Sequence, residues 1–505
     1  MEETIRKFKE HLAKMNAYSH AFGVLSYDSE TVMPRGGSEH LGMTYAVLSE
    51  ELYKLTTSPE LKEMVRNILS HGEEVDYITR REAEELREEM ERTEKIPMEE
   101  YVAYQVAQND AGNAWRKAKL TNDYALFAPH LEKLLTYSRK FAGYWDPDRA
   151  PYDVLLDQYE KGLTMATLDG FFGLLRKELL PLVQAVTAKG PVVDDAFLYK
   201  RFSIEKQRLL SDRLMEVMTI DRDHCAIGET EHPFTTNFSK DDVRITTHYH
   251  EKAFASSMYS VIHEGGHALY ELHIGDDIKY SPLGGGASMS IHESQSRFFE
   301  NILGLSEPFL DYILPDLRRF GPRALKDVSA HDFYLAVNKS EPSLIRTEAD
   351  ELTYSFHIMV RYELEKQLIA GTLSVQDLPA AWNRLYKEYL GVDVPNDTMG
   401  VLQDSHWSGG AFGYFPSYAL GSAYGAQMLK VMERDLPVWE LVSKGDLKPI
   451  VAWLTERIYQ YGCLLKPNEL ILKACEAPFD PHYYVDYLKT KYAEVYGVVL
   501  KDGIQ

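Results

Sequence analysis

Apolar residues recur through most of this chain at helical spacing. Val75, Ile78, Ala83, Leu86 and Met90 stand three to five residues apart among Glu and Arg, the period of an amphipathic helix. Glu94-Lys-Ile-Pro97 stops or redirects that helix, because proline cannot continue a helix interior. A second run extends from Glu99 to about Lys119, and the same pattern fills 130–143 and 168–188. Helices with a narrow apolar stripe pair as hairpins and leave their charge runs in water. The expected fold is mainly α.

One window departs from this period. His232-Pro-Phe-Thr-Thr-Asn-Phe238 is rich in β-branched and aromatic residues, and Ser239-Lys-Asp-Asp242 reads as a turn. After it, Val243, Ile245, Thr247 and Tyr249 alternate with Arg244, Thr246 and His248, the pattern of a half-buried hairpin or small β ribbon. Helical spacing returns from Glu251 to about Ile274. A loop follows at Pro282 and Gly284-Gly-Gly286, and another helix starts near Ser290.

A length of 505 residues suggests about three domains at roughly 150 residues each. No repeat, low-complexity tract or Pro/Ser-rich linker divides the chain, which favours one large unit around a deep cleft. The charge balance is 55 Lys+Arg against 77 Asp+Glu, net −22. So acidic a chain is a poor partner for nucleic acid or an anionic membrane. No run of 18 apolar residues occurs, the charged N-terminus has no signal-like apolar core, and Cys225, Cys463 and Cys475 show no C-x-x-C spacing. A cytoplasmic protein without disulfides is expected.

His263-Glu264-Gly265-Gly266-His267 falls on the helix predicted over 251–274. Histidines at i and i+4 are about 40° apart around the axis and one turn along, so both imidazoles can reach one ion. Glu264 is rotated off that line and can hold a water on the metal instead. The plainer reading is two helical histidines with a helix-favouring glutamate between them. Against it stand the adjacent glycines, each costing a helix about 1 kcal/mol relative to alanine. Close approach of another backbone or of a substrate would compensate, and the strand-like segment upstream could hold an extended peptide along the cleft. Catalytic zinc takes three protein ligands and keeps one position open. The third candidate is Glu293 in Ser290-Ile-His-Glu293, 26 residues after His267. Spacing leaves two readings, because S-x-x-E at a helix start is also a capping box. His292 could contact substrate, support a ligand or be structural.

Five motifs make the chain resemble the carboxypeptidase Taq family of zinc metallocarboxypeptidases. They are Asp242-Val-Arg244-Ile-Thr246, the H-E-x-x-H at 263–267, His292-Glu293-Ser294-Gln295, Ile345-Arg346-Thr347-Glu348-Ala349-Asp350, and Gly400-Val-Leu-Gln403-Asp404-Ser-His406-Trp407. The resemblance implies a large helical, saddle-shaped, single-cleft fold related to oligopeptidases, usually homodimeric. Residues 1–230 would form a mostly helical wall, and 231–505 would carry the ribbon, the zinc site and the substrate-binding helices. It further implies zinc on His263, His267 and Glu293, replaceable by cobalt, and release of single C-terminal residues with broad tolerance and poor action at proline. In other H-E-x-x-H enzymes with a glutamate third ligand, an acidic residue often follows that ligand within a turn. Ser296 and Arg297 follow here, so support for the two histidines must come from elsewhere.

Granted the metal, Glu264 is the expected general base for the metal-held water and later the proton donor to the leaving amine. Tyr418 or His406 is expected to stabilise the oxyanion; Tyr414, in the same Gly413-Tyr-Phe-Pro-Ser-Tyr418 stretch, reads as core. Cutting at a C-terminus needs a cation for the substrate carboxylate, and arginine suits it best. Arg346 ranks first and Arg244 second, although either could be a structural ion pair with Glu348, Asp350 or Asp242. Gln403 and His406 are groove-lining candidates, Asp404 would orient His406 or a helix end, and Thr246 could bind substrate backbone. Two alternatives are an oligo-endopeptidase of related fold and a catalytically silent peptide-binding scaffold. Glu264 argues against the latter, since a structural zinc site has no use for it.

Overall fold

The computed structural model describes residues 1–190 and 194–498. The chain opens on four helices, α1 (Glu2–Thr31), α2 (Ser38–Thr56), α3 (Pro59–Ser70) and α4 (Tyr77–Glu94). Ser58 caps α3 by accepting from the Leu61 amide, and Asp76 caps α4 through the Thr79 amide, so orphan N–H groups at both starts are satisfied. Phe8, Leu12, Leu61, Val65, Ile68, Ala83 and Leu86 form a small apolar cluster of their own. Helix α2 buries none of its residues.

Pro97 turns the chain into α5 (Met98–Thr121), followed by α6 (Ala128–Trp145) and α7 (Met165–Lys189). The four helices expected from periodicity are thus present, with ends shifted by a few residues. The ribbon is also present but has a third strand. β1 (Cys225–Glu229), β2 (Thr235–Ser239) and β3 (Asp242–Thr247) form a sheet of order β1-β3-β2. β2 and β3 make the expected antiparallel hairpin, with Thr235 opposite Ile245, whereas β1 joins β3 in parallel. Five residues with no clean alternation, pairing across an intervening strand, leave little local signal.

A second, much larger core encloses α8 (Phe254–Leu272), α9 (Met289–Arg297), α10 (Glu351–Ala370), α11 (Pro416–Asp435) and α12 (His482–Tyr496). Helix α9 runs on into a π-helical segment, Phe298–Gly304. Helices α10 and α11 are buried on nearly every face, which erases the two-sided pattern a surface helix shows. A groove of about 1070 Å³ is lined by His248, Tyr259, His263, Glu264, Arg297 and Tyr354, among others. No helix among the described residues is long and apolar enough to cross a membrane.

Candidate active site

Helix α8 carries His263, Glu264 and His267, and α9 carries Glu293. One ligand atom from each of His263, His267 and Glu293 lies within 4.8 Å of the others. Glu293 Oε2 is 3.9 Å from His263 Nε2 and 3.7 Å from His267 Nε2. Two glycines permit this approach. A Cβ on Gly266 would stand 2.7 Å from the Gln295 carbonyl oxygen and the Ser296 Cα, and one on Gly421 in α11 would meet Glu293 Cβ at 2.7 Å. Gly266 is therefore compensated by a neighbouring backbone, one of the two possibilities the sequence left, whereas a Cβ on Gly265 would meet the Met218 and Ile220 side chains. The capping-box reading of Glu293 does not hold: Ser288 caps α9 through the Ile291 amide, while Glu293 Oε1 accepts from Arg297 Nε at 2.8 Å.

The outer nitrogens of both histidines are engaged. His263 Nδ1 lies 2.7 Å from Glu300 Oε2. His267 Nδ1 lies 2.7 Å from His292 Nδ1, whose Nε2 is 2.7 Å from Glu271 Oε1. If both outer nitrogens of the ligands donate, each Nε2 presents a lone pair to a common point. His292 then accepts at Nδ1 and donates at Nε2. Glu271 is held in turn by Asn237 Nδ2 of β2, at 2.7 Å. Deprotonated at Nε2, the two imidazoles would offer two nitrogens that, with one carboxylate oxygen, fit a divalent cation.

Glu264 sits beside this triad with Thr235 Oγ1 2.6 Å from its Oε2. Burial raises its carboxyl above the ordinary glutamate range, against the pull of His263 and of Thr235. Because β2 is the outer strand of the sheet next to β3, Thr235 ties a sheet edge directly to the carboxylate.

Tyr418 is at the start of α11, with its hydroxyl 3.2 Å from His406 Nε2. Burial, reinforced by Tyr414, lifts the phenol far above its usual range. Burial also pushes His406 down to about 4, opposed by Asp404 and aided by the Arg346 and Arg361 cations. Both are neutral at neutral pH. Arg346 bonds Asp404 Oδ1 through Nε (3.0 Å) and Nη2 (2.9 Å), and its guanidinium lies 4.9 Å over the Tyr418 ring. Arg361 bonds the other oxygen of Asp404 at 2.7 Å. Burial favours the neutral acid at Asp404, but the two arginines overcome it and hold the carboxyl below its ordinary range. Arg346 is thus in an ion pair, as its alternative reading had it, but with a residue 58 positions away instead of with Glu348 or Asp350.

Three predicted substrate residues take structural places. Arg244 is bidentate to Asp242, at 2.9 Å twice, and is stacked between Tyr27 and Phe238. Gln403 accepts from the Arg346 amide and Arg361 Nη2 and donates to the Leu344 and Met399 carbonyls, so it braces the arginines. Thr246 is fully buried and takes the Phe234 amide. Sequence reasoning missed Thr235, Glu271, Arg297, Glu300, Tyr354 and Arg361. Only Glu271 carried a usable signal, standing four residues after His267 on the same helix.

Residues 7–492 match the model of the carboxypeptidase Taq (M32) metallopeptidases. The chain belongs to that family. This metallocarboxypeptidase is 40% identical over 492 residues to carboxypeptidase 1 of Bacillus subtilis, covering 97% of this chain and 98% of the relative. It is 34% identical to thermostable carboxypeptidase 1 of Pyrococcus furiosus, again over 97% of this chain and 98% of the relative. The crystal structure of the M32 carboxypeptidase from Deinococcus radiodurans R1 superposes with a TM-score of 0.95 at 33% identity, covering 98% of this chain and all 100% of that one. The saddle-type helical fold and the metal-dependent hydrolytic activity follow from these matches.

Proposed function

We propose that the metallocarboxypeptidase holds zinc on His263, His267 and Glu293 and removes C-terminal residues one at a time. The convergence of those three ligand atoms beside Glu264 carries the reading. Zinc, when bound, supplies Lewis acidity: it polarises the scissile carbonyl and acidifies a water. Thr235 occupies Glu264 Oε2, which leaves Oε1 to take the proton of the attacking water and return it to the departing amine. Tyr418 is the neutral donor to the developing oxyanion, and His406 orients it. The His406 Nδ1 is buried without a partner, which is tolerable for a bare lone pair and costly for an N–H. The proton therefore sits on Nε2 and points at the Tyr418 oxygen, freeing the phenolic proton for substrate.

Arg346 and Arg361 share the single carboxylate of Asp404, so the three carry one excess positive charge. A peptide's terminal carboxylate complements it, with Arg346 as the contact. The main chain of the substrate lies along β2 in an extended form, which accounts for broad side-chain tolerance and for poor action at proline, whose nitrogen cannot donate. Cobalt, which also accepts nitrogen and oxygen ligands, substitutes for zinc. Residues 1–505 act as one peptidase unit, and the bare face of α2 is where a second copy docks. The three unpaired thiols suit a cytoplasmic enzyme.

Mass spectrometry of digests of an N-terminally blocked peptide tests the reading. A ladder of single C-terminal losses is expected, and amidating the C-terminus abolishes it. Internal fragments would instead make the enzyme an oligo-endopeptidase, and undiminished cleavage of the amide would remove Arg346 from its role.

A further inference from the structure

Helix α10 presents two fully buried charges one turn apart, Arg361 and Glu365. Arg361 grips Gln403 and Asp404. Glu365 grips the rest of the same loop. Its Oε1 accepts from Trp407 Nε1 at 2.6 Å, and its Oε2 accepts from Tyr152 Oη at 2.7 Å and from the Gly413 amide at 2.8 Å. Gly413 is itself at φ +92°, and a Cβ there would stand 3.0 Å from the Leu155 and Leu156 backbone, so the turn has one way to sit.

Trp407 follows His406 directly, and Gly413 opens the turn that leads into the first residues of α11 and Tyr418. One carboxylate is therefore bonded to the immediate neighbour of His406 and to the segment that delivers Tyr418. Burying a carboxylate is costly unless its hydrogen bonds are filled. This one is filled by three donors, two of which, Trp407 and Gly413, stand on the segment that runs from His406 to Tyr418. Burial pushes it up to about 7, while the hydrogen bonds from Trp407, Gly413 and Tyr152 pull the other way and favour the carboxylate.

We propose that Glu365 is a positioning residue for catalysis, setting the distance and angle between His406 and Tyr418 through Trp407 and Gly413. The proposal rests on the reading of Tyr418 as oxyanion donor. Glu365→Gln keeps the shape but turns an amide NH2 toward groups that also donate. Its expected result is a kcat lower by about 10- to 100-fold, with KM within about twofold and metal content unchanged. Glu365→Asp recovers part of the loss. In a Tyr418→Phe background the same substitution has little further effect, because residues that act as one unit are non-additive. A multiplicative loss in that background, or an unchanged kcat, overturns the proposal and leaves Tyr418 standing. Full activity of Tyr418→Phe and of His406→Ala removes the donor reading and takes the positioning role with it. Should Glu365→Gln fail to fold, Trp407→Phe deletes one donor, keeps the carboxylate and carries the same expectations in both backgrounds.

Discussion

At the scale of single residues, the site depends on which nitrogen of each imidazole is bare. Glu300 and the His292–Glu271 pair fix that choice for His263 and His267, and carboxylates in this place also raise ligand basicity. Glu300→Gln and Glu271→Gln should each weaken metal binding by about 10- to 100-fold, as read by competition with a chelator. Glu264→Gln should lower turnover by roughly 10²- to 10⁴-fold at unchanged metal content; retained turnover would refute its role as base. His406 adds a pH dependence. Its folded value of about 4 lies below the ordinary 6.5, so between those values the unfolded chain binds the extra proton. The contribution is fully present above pH 6.5 and is lost as pH falls through about 4, about 3 kcal/mol in total. His406→Gln should therefore lose less thermal stability than wild type between pH 7 and pH 4. Equal losses would mean that His406 is not held neutral by its surroundings. The two candidate histidine ligands were legible from sequence because i, i+4 spacing on one helix is local, whereas Glu293 rested on the family motif. Glu300 was not, because it lies two turns past Glu293, beyond a change from α to π winding that a search within one turn does not reach.

At the scale of elements, the decisive contact is between α8 and α9, where backbone meets backbone at Gly266. Gly266→Ala forces its methyl into the Gln295–Ser296 chain, which cannot yield as a flexible side chain would. Overpacking of this kind costs about 1–3 kcal/mol, visible as a lower melting temperature of the metal-free protein. It should also loosen the metal site, because the α8–α9 separation sets the reach from Glu293 to both histidines. The hairpin and the amphipathic helices were readable because each shows its period within a dozen residues. β1 and the buried helices α10 and α11 were not, since a parallel partner lies far along the chain and an element buried all round has no polar face to mark its period.

At the scale of the molecule, two apolar clusters stand apart, the small one among α1, α3 and α4 and the large one around the groove. Helix α2 belongs to neither, and Met43 and Val47 on it are 58% and 63% exposed. This is the face proposed above as the docking surface for a second copy. If a second copy docks on this face as proposed, Met43→Glu with Val47→Glu should shift the sedimentation profile to that of a monomer while leaving the metal content intact, and an unchanged profile would overturn α2 as the docking face.

The sequence alone determined the helical class and the hairpin and pointed to the candidate metal ligands and general base, because each is written in spacing along one stretch or in a motif shared with the carboxypeptidase Taq family. Only the tertiary structure decided how the charges are used. Arg244 was drawn away into a pair with its neighbour Asp242. Arg346 met Asp404 and Arg361 across the fold, and Glu300, Glu271 and Glu365 took their roles from groups on other elements. Coulomb energy and hydrogen bonding act over a few ångströms of space whatever the distance in sequence. The partners of a buried charge are therefore known only once the chain has closed around it.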